Sequence, residues 1–132
     1  MKRHTAGEDY LEAILILKKK KGNVRSVDVA RQLNVSKPSV SYAVSLLKDC
    51  GHITVDGAYN LHLTEAGLAI AEHVYEKHCF FRDVLISAGV ESETAEAEAC
   101  MMEHAISNSS FRLLKEKADQ DRRKLEKYSF LK

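Results

Sequence analysis

Apolar residues recur at helical spacing from the start of the chain. Tyr10, Ala13, Ile14 and Leu17 fall on one stripe, widened by Leu11 and Leu15, and predict a helix from about Thr5 to Lys20. Lysines 18 to 21 suit the negative end of its dipole, and Gly22 ends it. Ser26 is placed to cap a short helix over Val27 to Leu33, and Ser36 to cap a third that carries Pro38 in its first turn, where a missing N–H costs nothing. Only Asn34 and Val35 separate the two. From His52 to Leu63 the period changes to two. Ile53 and Val55 are answered by Tyr59, Leu61 and Leu63 across Asp56-Gly57, a hairpin turn signal. Thr64 opens a long helix to about Ala88, Gly89 breaks it, and Ser92 opens another to about Ser107. One or two further charged amphipathic helices run from Ser109 to the end. The fold class expected is mainly α: a winged helix-turn-helix followed by a helical region.

The second and third helices carry the packing a helix-turn-helix needs. Ala30 is small enough for a close crossing, Val29 and Leu33 face inward, Asn34 tolerates the left-handed turn, and Val35, Val40, Ala43 and Val44 close the contact. The third helix is left to show Lys37, Pro38, Ser39, Ser41, Tyr42 and Ser45 outward, with Ser36 at its start. Hydroxyls for base edges or phosphates, an aromatic for a thymine methyl and a lysine for backbone charge suit a major groove of double-stranded DNA. A serine-rich solvated helix is the plainer reading, but it does not account for the turn spacing, the small residue and the following wing together. Arg25 and the lysines 18 to 21 could meet phosphates, and the lysines serve equally as a solvated helix end.

Composition narrows the setting. The chain has 132 residues, 45% hydrophobic and 30% charged, with one proline, the balance of a folded domain. Its longest apolar run, Ala13 to Leu17, is far too short to span a bilayer, and no signal-peptide core follows Met1-Lys2-Arg3-His4. Cys50, Cys79 and Cys100 form an odd set without a CxxC pair, which fits reduced thiols and a cytoplasmic location. The net charge of +1 hides an asymmetry: residues 1–63 hold ten Lys/Arg against six Asp/Glu, and residues 64–132 ten against thirteen. The basic half is the one suited to phosphates.

A second constellation calls for a different partner. Cys100, Glu103 and His104 share one face of their helix, with Glu96 one turn earlier. Asp9 and Glu12 flank the apolar stripe of the first helix, and His78 lies on the fourth. Singly, each has an ordinary role: acids near a helix N-terminus, a satisfied histidine, a small buried thiol. Together, polar groups at core-flanking positions are costly to bury without a shared partner, and a divalent metal suits them.

Four segments give this pattern a family resemblance. They are Gly7-Glu8-Asp9-Tyr10-Leu11-Glu12-Ala13-Ile14, Val35-Ser36-Lys37-Pro38-Ser39-Val40-Ser41, Leu61-His62-Leu63-Thr64-Glu65-Ala66-Gly67 and Glu98-Ala99-Cys100-Met101-Met102-Glu103-His104. Through them nearly the whole chain resembles the diphtheria toxin repressor family of metal-dependent regulators, most of all its two-domain manganese transport regulator branch. The resemblance implies a DNA-binding domain over residues 1–70 and a helical dimerisation and metal-binding domain over residues 71–132. It further implies a homodimer that binds a palindromic operator when loaded with Mn(II) or Fe(II), with Zn(II) a stand-in in vitro, and that represses metal-homeostasis genes without being an enzyme. Carried over by position, the ligands are Asp9, Glu12, His78, Cys100, Glu103 and His104.

The ligand set is a hybrid. The manganese branch has a carboxylate at the position of Cys100, whereas the iron-responsive branch has cysteine there and methionine in place of Asp9. Iron-responsive relatives place a carboxylate where this chain has Arg82, and another ligand where it has Glu96. The alternative is a metal-independent winged-helix regulator that senses a small ligand or oxidation of Cys79 or Cys100. A small metallohydrolase using Glu103 as base is disfavoured, because six ligands leave few positions for substrate.

Overall fold

The computed structural model describes residues 6–129. The order is α1 (Ala6–Lys21), α2 (Ser26–Leu33), α3 (Lys37–Asp49), β1 (Ile53–Val55), β2 (Leu61–Leu63), α4 (Glu65–Ser87), α5 (Ser92–Ala105) and α6 (Asn108–Ser129). The predicted start of the first helix at Thr5 lies outside the described residues. The chain divides into two compact units, Met1–Glu76 and Lys77–Lys132, with the division inside α4. Among the described residues, the stretch after Ser107 is one helix. Among the described residues, no helix is long and apolar enough to cross a membrane.

In the first unit, the stripe read from α1 is the centre of the core. Tyr10, Leu11, Ala13, Ile14, Leu15 and Leu17 are buried together with Val24, Val29, Val40, Leu47, Ile53, Leu61 and Ala71. Burying a side chain such as Leu11 or Ile14 contributes roughly 1.5–3 kcal/mol, so α1 is the element on which the helix-turn-helix and the wing are assembled. Asn34 adopts the left-handed conformation (φ 56°, ψ 51°) at the end of α2, and the Val35 N–H returns to the Ala30 carbonyl. Ser36 caps α3 by accepting from the Ser39 N–H at 3.2 Å, with Pro38 in the first turn.

Three local expectations are corrected. Ser26 is the first helical residue rather than the cap: Arg25 occupies the cap position, and its N–H donates to Asp28 Oδ2 at 2.8 Å, an acid in the first turn doing what a capping hydroxyl would do. Val35 is exposed, because the left-handed turn at Asn34 points it away from the core. The hairpin is not closed by Asp56-Gly57 alone. Its strands pair Ile53 with Leu63, Thr54 with His62 and Val55 with Leu61, so residues 56–60 form the connection. Tyr59 lies outside the strand, left-handed (φ 66°) and exposed.

The junction between wing and α4 explains Gly67. Thr64 Oγ1 donates to the Gly51 carbonyl at 2.7 Å and accepts from the Gly67 N–H at 3.1 Å, while the Thr64 N–H donates to the His52 carbonyl at 3.0 Å. A Cβ on Gly67 would stand 2.0 Å from that same His52 oxygen, so only glycine fits.

In the second unit, α4, α5 and α6 meet around Phe81, Ala99 and Phe111, with Phe80 and Ile106 packed beside them. Phe80 contacts Phe81 and Phe111 edge-on, at centroid distances of 5.2 and 5.4 Å. Gly89 takes φ +104° in the tight turn between α4 and α5. The small residues Ala95 and Ala99 are fully buried on α5 and let it approach closely.

Candidate metal centre and nucleic-acid interface

The first unit presents α3 as read from sequence. Ser36, Lys37, Pro38, Ser39, Ser41, Tyr42 and Ser45 are all exposed, while Val40 and Leu47 on the opposite side are buried. Tyr42 is 69% exposed and free to reach a groove. Arg25 is exposed at the start of α2. The lysine run is largely engaged within the unit. Lys18 Nζ lies 2.8 Å from His62 Nδ1, Lys19 stands over the Tyr75 ring at 5.0 Å, and Lys21 pairs with Asp28 at 2.8 Å. Lys21, followed by the Arg25 N–H, holds the Asp28 carboxyl below its usual range.

Sequence reasoning missed how the wing is held. Asp56 Oδ1 accepts from the backbone N–H groups of Ala58 and Asn60, at 2.9 and 3.0 Å. Its Oδ2 lies 2.9 Å from His62 Nε2. His62 first, and then the Asn60 N–H, hold this carboxyl far below the ordinary value. Lys18, His62 and Asp56 thus run in series from α1 to the wing loop. The signal was an Asp at the start of the loop, which caps turn N–H groups in this way.

In the second unit, the structure brings together four of the expected ligands. Cys100 Sγ, a Glu103 oxygen and a His104 nitrogen lie within 4.8 Å of one another. His78 reaches the same carboxylate from α4, its Nδ1 2.9 Å from Glu103 Oε1. Glu103 has no exposed side-chain surface. Its Oε2 is 3.3 Å from His104 Nε2 but outside hydrogen-bond geometry, and it finds no hydrogen-bond partner. A buried carboxylate with an unfilled oxygen, flanked by an imidazole and a thiol, is a donor set for a cation. The residues fit a divalent metal. Cys100 is exposed and not in a disulfide.

Glu96 joins the cluster from one turn earlier on α5, its Oε1 2.7 Å from His78 Nε2. Arg82 Nη1 stands 3.7 Å from the other Glu96 oxygen, and Arg82 Nε donates to Asp83. Of the two other expected ligands, Glu12 is buried on α1 and Asp9 half-buried, both in the first unit.

Comparison with known proteins matches two consecutive family models to the chain. Residues 4–59 match the iron dependent repressor N-terminal DNA binding domain, and residues 64–124 match the iron dependent repressor metal binding and dimerisation domain. The chain is 31% identical over 110 residues to an uncharacterized HTH-type transcriptional regulator of Methanocaldococcus jannaschii, covering 82% of this chain and 88% of that one. It is 34% identical over 113 residues to the transcriptional regulator MntR of Escherichia coli, covering 83% and 73%. The crystal structure of T. acidophilum IdeR superposes with a TM-score of 0.75 at 26% identity, covering 90% of this chain and 56% of that one. The chain spans about half the length of such solved structures. It belongs to the iron-dependent repressor family, whose members are metal-dependent, DNA-binding transcriptional repressors and not enzymes.

Proposed function

We propose that this member of the iron-dependent repressor family is a cytoplasmic, homodimeric repressor of metal-homeostasis genes, switched on by Mn(II) or Fe(II). Asp9, Glu12, His78, Cys100, Glu103 and His104 are the ligands. The observation that carries the reading is the fully buried Glu103 carboxylate, one oxygen without a hydrogen bond, between His78, Cys100 and His104. The set is hard at Asp9, Glu12 and Glu103 and soft at Cys100, a mixture both ions accept, and Zn(II) fills it in vitro.

Metal is the effector and does not touch DNA. Asp9 and Glu12 stand on α1 and the other four proposed ligands on α4 and α5. An ion that takes Asp9 and Glu12 acts on the recognition helices through α1, the centre of the DNA-binding core. In a symmetric dimer, recognition helices must match half-sites of a palindromic operator about one helical turn apart, or a multiple of it. Metal shifts the population toward a spacing that fits. Ser36, Lys37, Pro38, Ser39, Ser41 and Tyr42 read the major groove, and Arg25 meets a phosphate.

The test is DNA binding by the full chain under anaerobic, reducing conditions, with Mn(II), Fe(II) or a chelator. The probe is a duplex selected from a random pool by the Mn(II)-loaded protein. Binding is expected to be lost with chelator and restored by either ion. Undiminished affinity in chelator, together with unchanged binding by Asp9→Ala and His104→Ala variants, overturns the proposal and favours a metal-independent regulator.

A further inference from the structure

His78 offers its two ring nitrogens to carboxylates in opposite surroundings. Nδ1 faces Glu103 at 2.9 Å, and that side chain is fully buried. Nε2 faces Glu96 at 2.7 Å, and that side chain is 51% exposed. The Nε2 side already has a counter-charge, because the Arg82 guanidinium stands 3.7 Å from the second Glu96 oxygen. The Nδ1 side has instead a carboxylate removed from water with an oxygen that finds no hydrogen bond. A divalent cation gains most beside a desolvated, uncompensated carboxylate, and it is repelled where a fixed guanidinium stands.

Resting on the metal-site reading above, we propose that His78 takes the ion on Nδ1, and that Glu96 is a positioning residue which accepts the Nε2–H and is not itself a ligand. Arg82 places a permanent cation beside Glu96, so no ion sits on the Nε2 side of His78. A ligating histidine whose other N–H is held by a carboxylate has its tautomer and ring orientation fixed before the ion arrives, which tightens binding by about 10–100-fold. Arg82 holds Glu96 in turn, and Asp83 holds Arg82 by accepting from its Nε at 3.1 Å. The series runs from Asp83 through Arg82 and Glu96 to His78, and only its last member meets the metal.

The full chain with 15N-labelled histidine, loaded with Zn(II), tests this by long-range proton–nitrogen correlation and by metal analysis after equilibrium dialysis. Expected are a metal-shifted Nδ1 and a protonated Nε2 at His78. Glu96→Ala weakens Zn(II) binding by about 10–100-fold with the number of ions per subunit unchanged. Glu96→Gln, whose amide oxygen still accepts from Nε2–H, stays within a few-fold of the parent. Arg82→Glu gains one ion over the parent. Metallation at Nε2, loss of an ion in Glu96→Ala, or an unchanged count in Arg82→Glu overturns the inference while leaving the metal site standing. A parent chain that binds no Zn(II) overturns both.

Discussion

Replacing Gly67 by alanine tests how the wing is fixed to the rest of the DNA-binding unit. At an ordinary helix position the change stabilises by about 1 kcal/mol, because alanine loses less backbone entropy. Here the added Cβ would stand 2.0 Å from the His52 carbonyl oxygen and 2.9 Å from its carbon, both main-chain atoms that cannot turn aside. Carbon and oxygen approach without penalty only to about 3.3 Å, so the start of α4 must withdraw by more than about 1 Å. That movement strains the Thr64 N–H bond to His52 and the Thr64 hydroxyl bond to Gly51, now 3.0 and 2.7 Å. Overpacking costs about 1–3 kcal/mol and each lost hydrogen bond about 0.5–1.5, set against the helix gain of about 1. The net is a loss of about 1–5 kcal/mol, centred on about 3, opposite in sign to the propensity argument.

Urea denaturation of the metal-free chain, followed by circular dichroism, measures it. The midpoint is expected to fall by roughly 1–2 M with the slope unchanged. Gly57→Ala is the control. Gly57 has nothing within 4 Å of its added Cβ and is not left-handed, so its stability stays level or rises. Because β1 begins one residue after His52, Gly67→Ala also displaces the wing and weakens DNA binding. A Gly67→Ala protein as stable as the Gly57→Ala control would refute the reasoning.

Three further outcomes are expected. Tyr42→Ala, at a 69% exposed position, leaves stability within about 0.5 kcal/mol but lowers DNA affinity about tenfold in a gel-shift titration, since the ring is the proposed groove contact and not part of the core. Cys100→Ser weakens Zn(II) binding far more than Mn(II) binding in competition with a fluorescent chelator, because sulfur is the soft member of the proposed set. The depressed Asp56 carboxyl contributes to wing order above the unfolded carboxyl value, near pH 4, and loses that contribution only as pH falls through the lower folded value. Protection of the Asn60 and Ala58 amides from hydrogen exchange therefore persists at pH 4 in the parent and is absent in Asp56→Ala at any pH.

Periodicity and punctuation made most of the first unit legible. The α1 stripe, the left-handed Asn34, the Ser36 cap and the outward face of α3 each follow from local rules: a 3.6-residue repeat, a short polar side chain that tolerates positive φ, and a hydroxyl that satisfies an unpaired helix N–H. The cap of α2 was misread because an acid in the first turn can replace a serine in front of it, and sequence does not say which side chain the backbone N–H will choose. The wing loop was misread for a related reason. Asp56 organises five residues through its carboxylate, and that possibility competes with a tight Asp-Gly turn until His62 and Lys18 are seen to hold it.

For the metal cluster, residue type and helical spacing alone placed Cys100, Glu103 and His104 on one face of α5, because a helix carries i, i+3 and i+4 to the same side. Tertiary structure decided the rest. Packing brought His78 to Glu103, 25 residues away in the chain, and took that carboxylate out of water. The same packing set Arg82 against Glu96, so that of the two carboxylates facing His78 only Glu96 has a guanidinium beside it. Such differences arise from burial and proximity between distant segments, which no local pattern encodes.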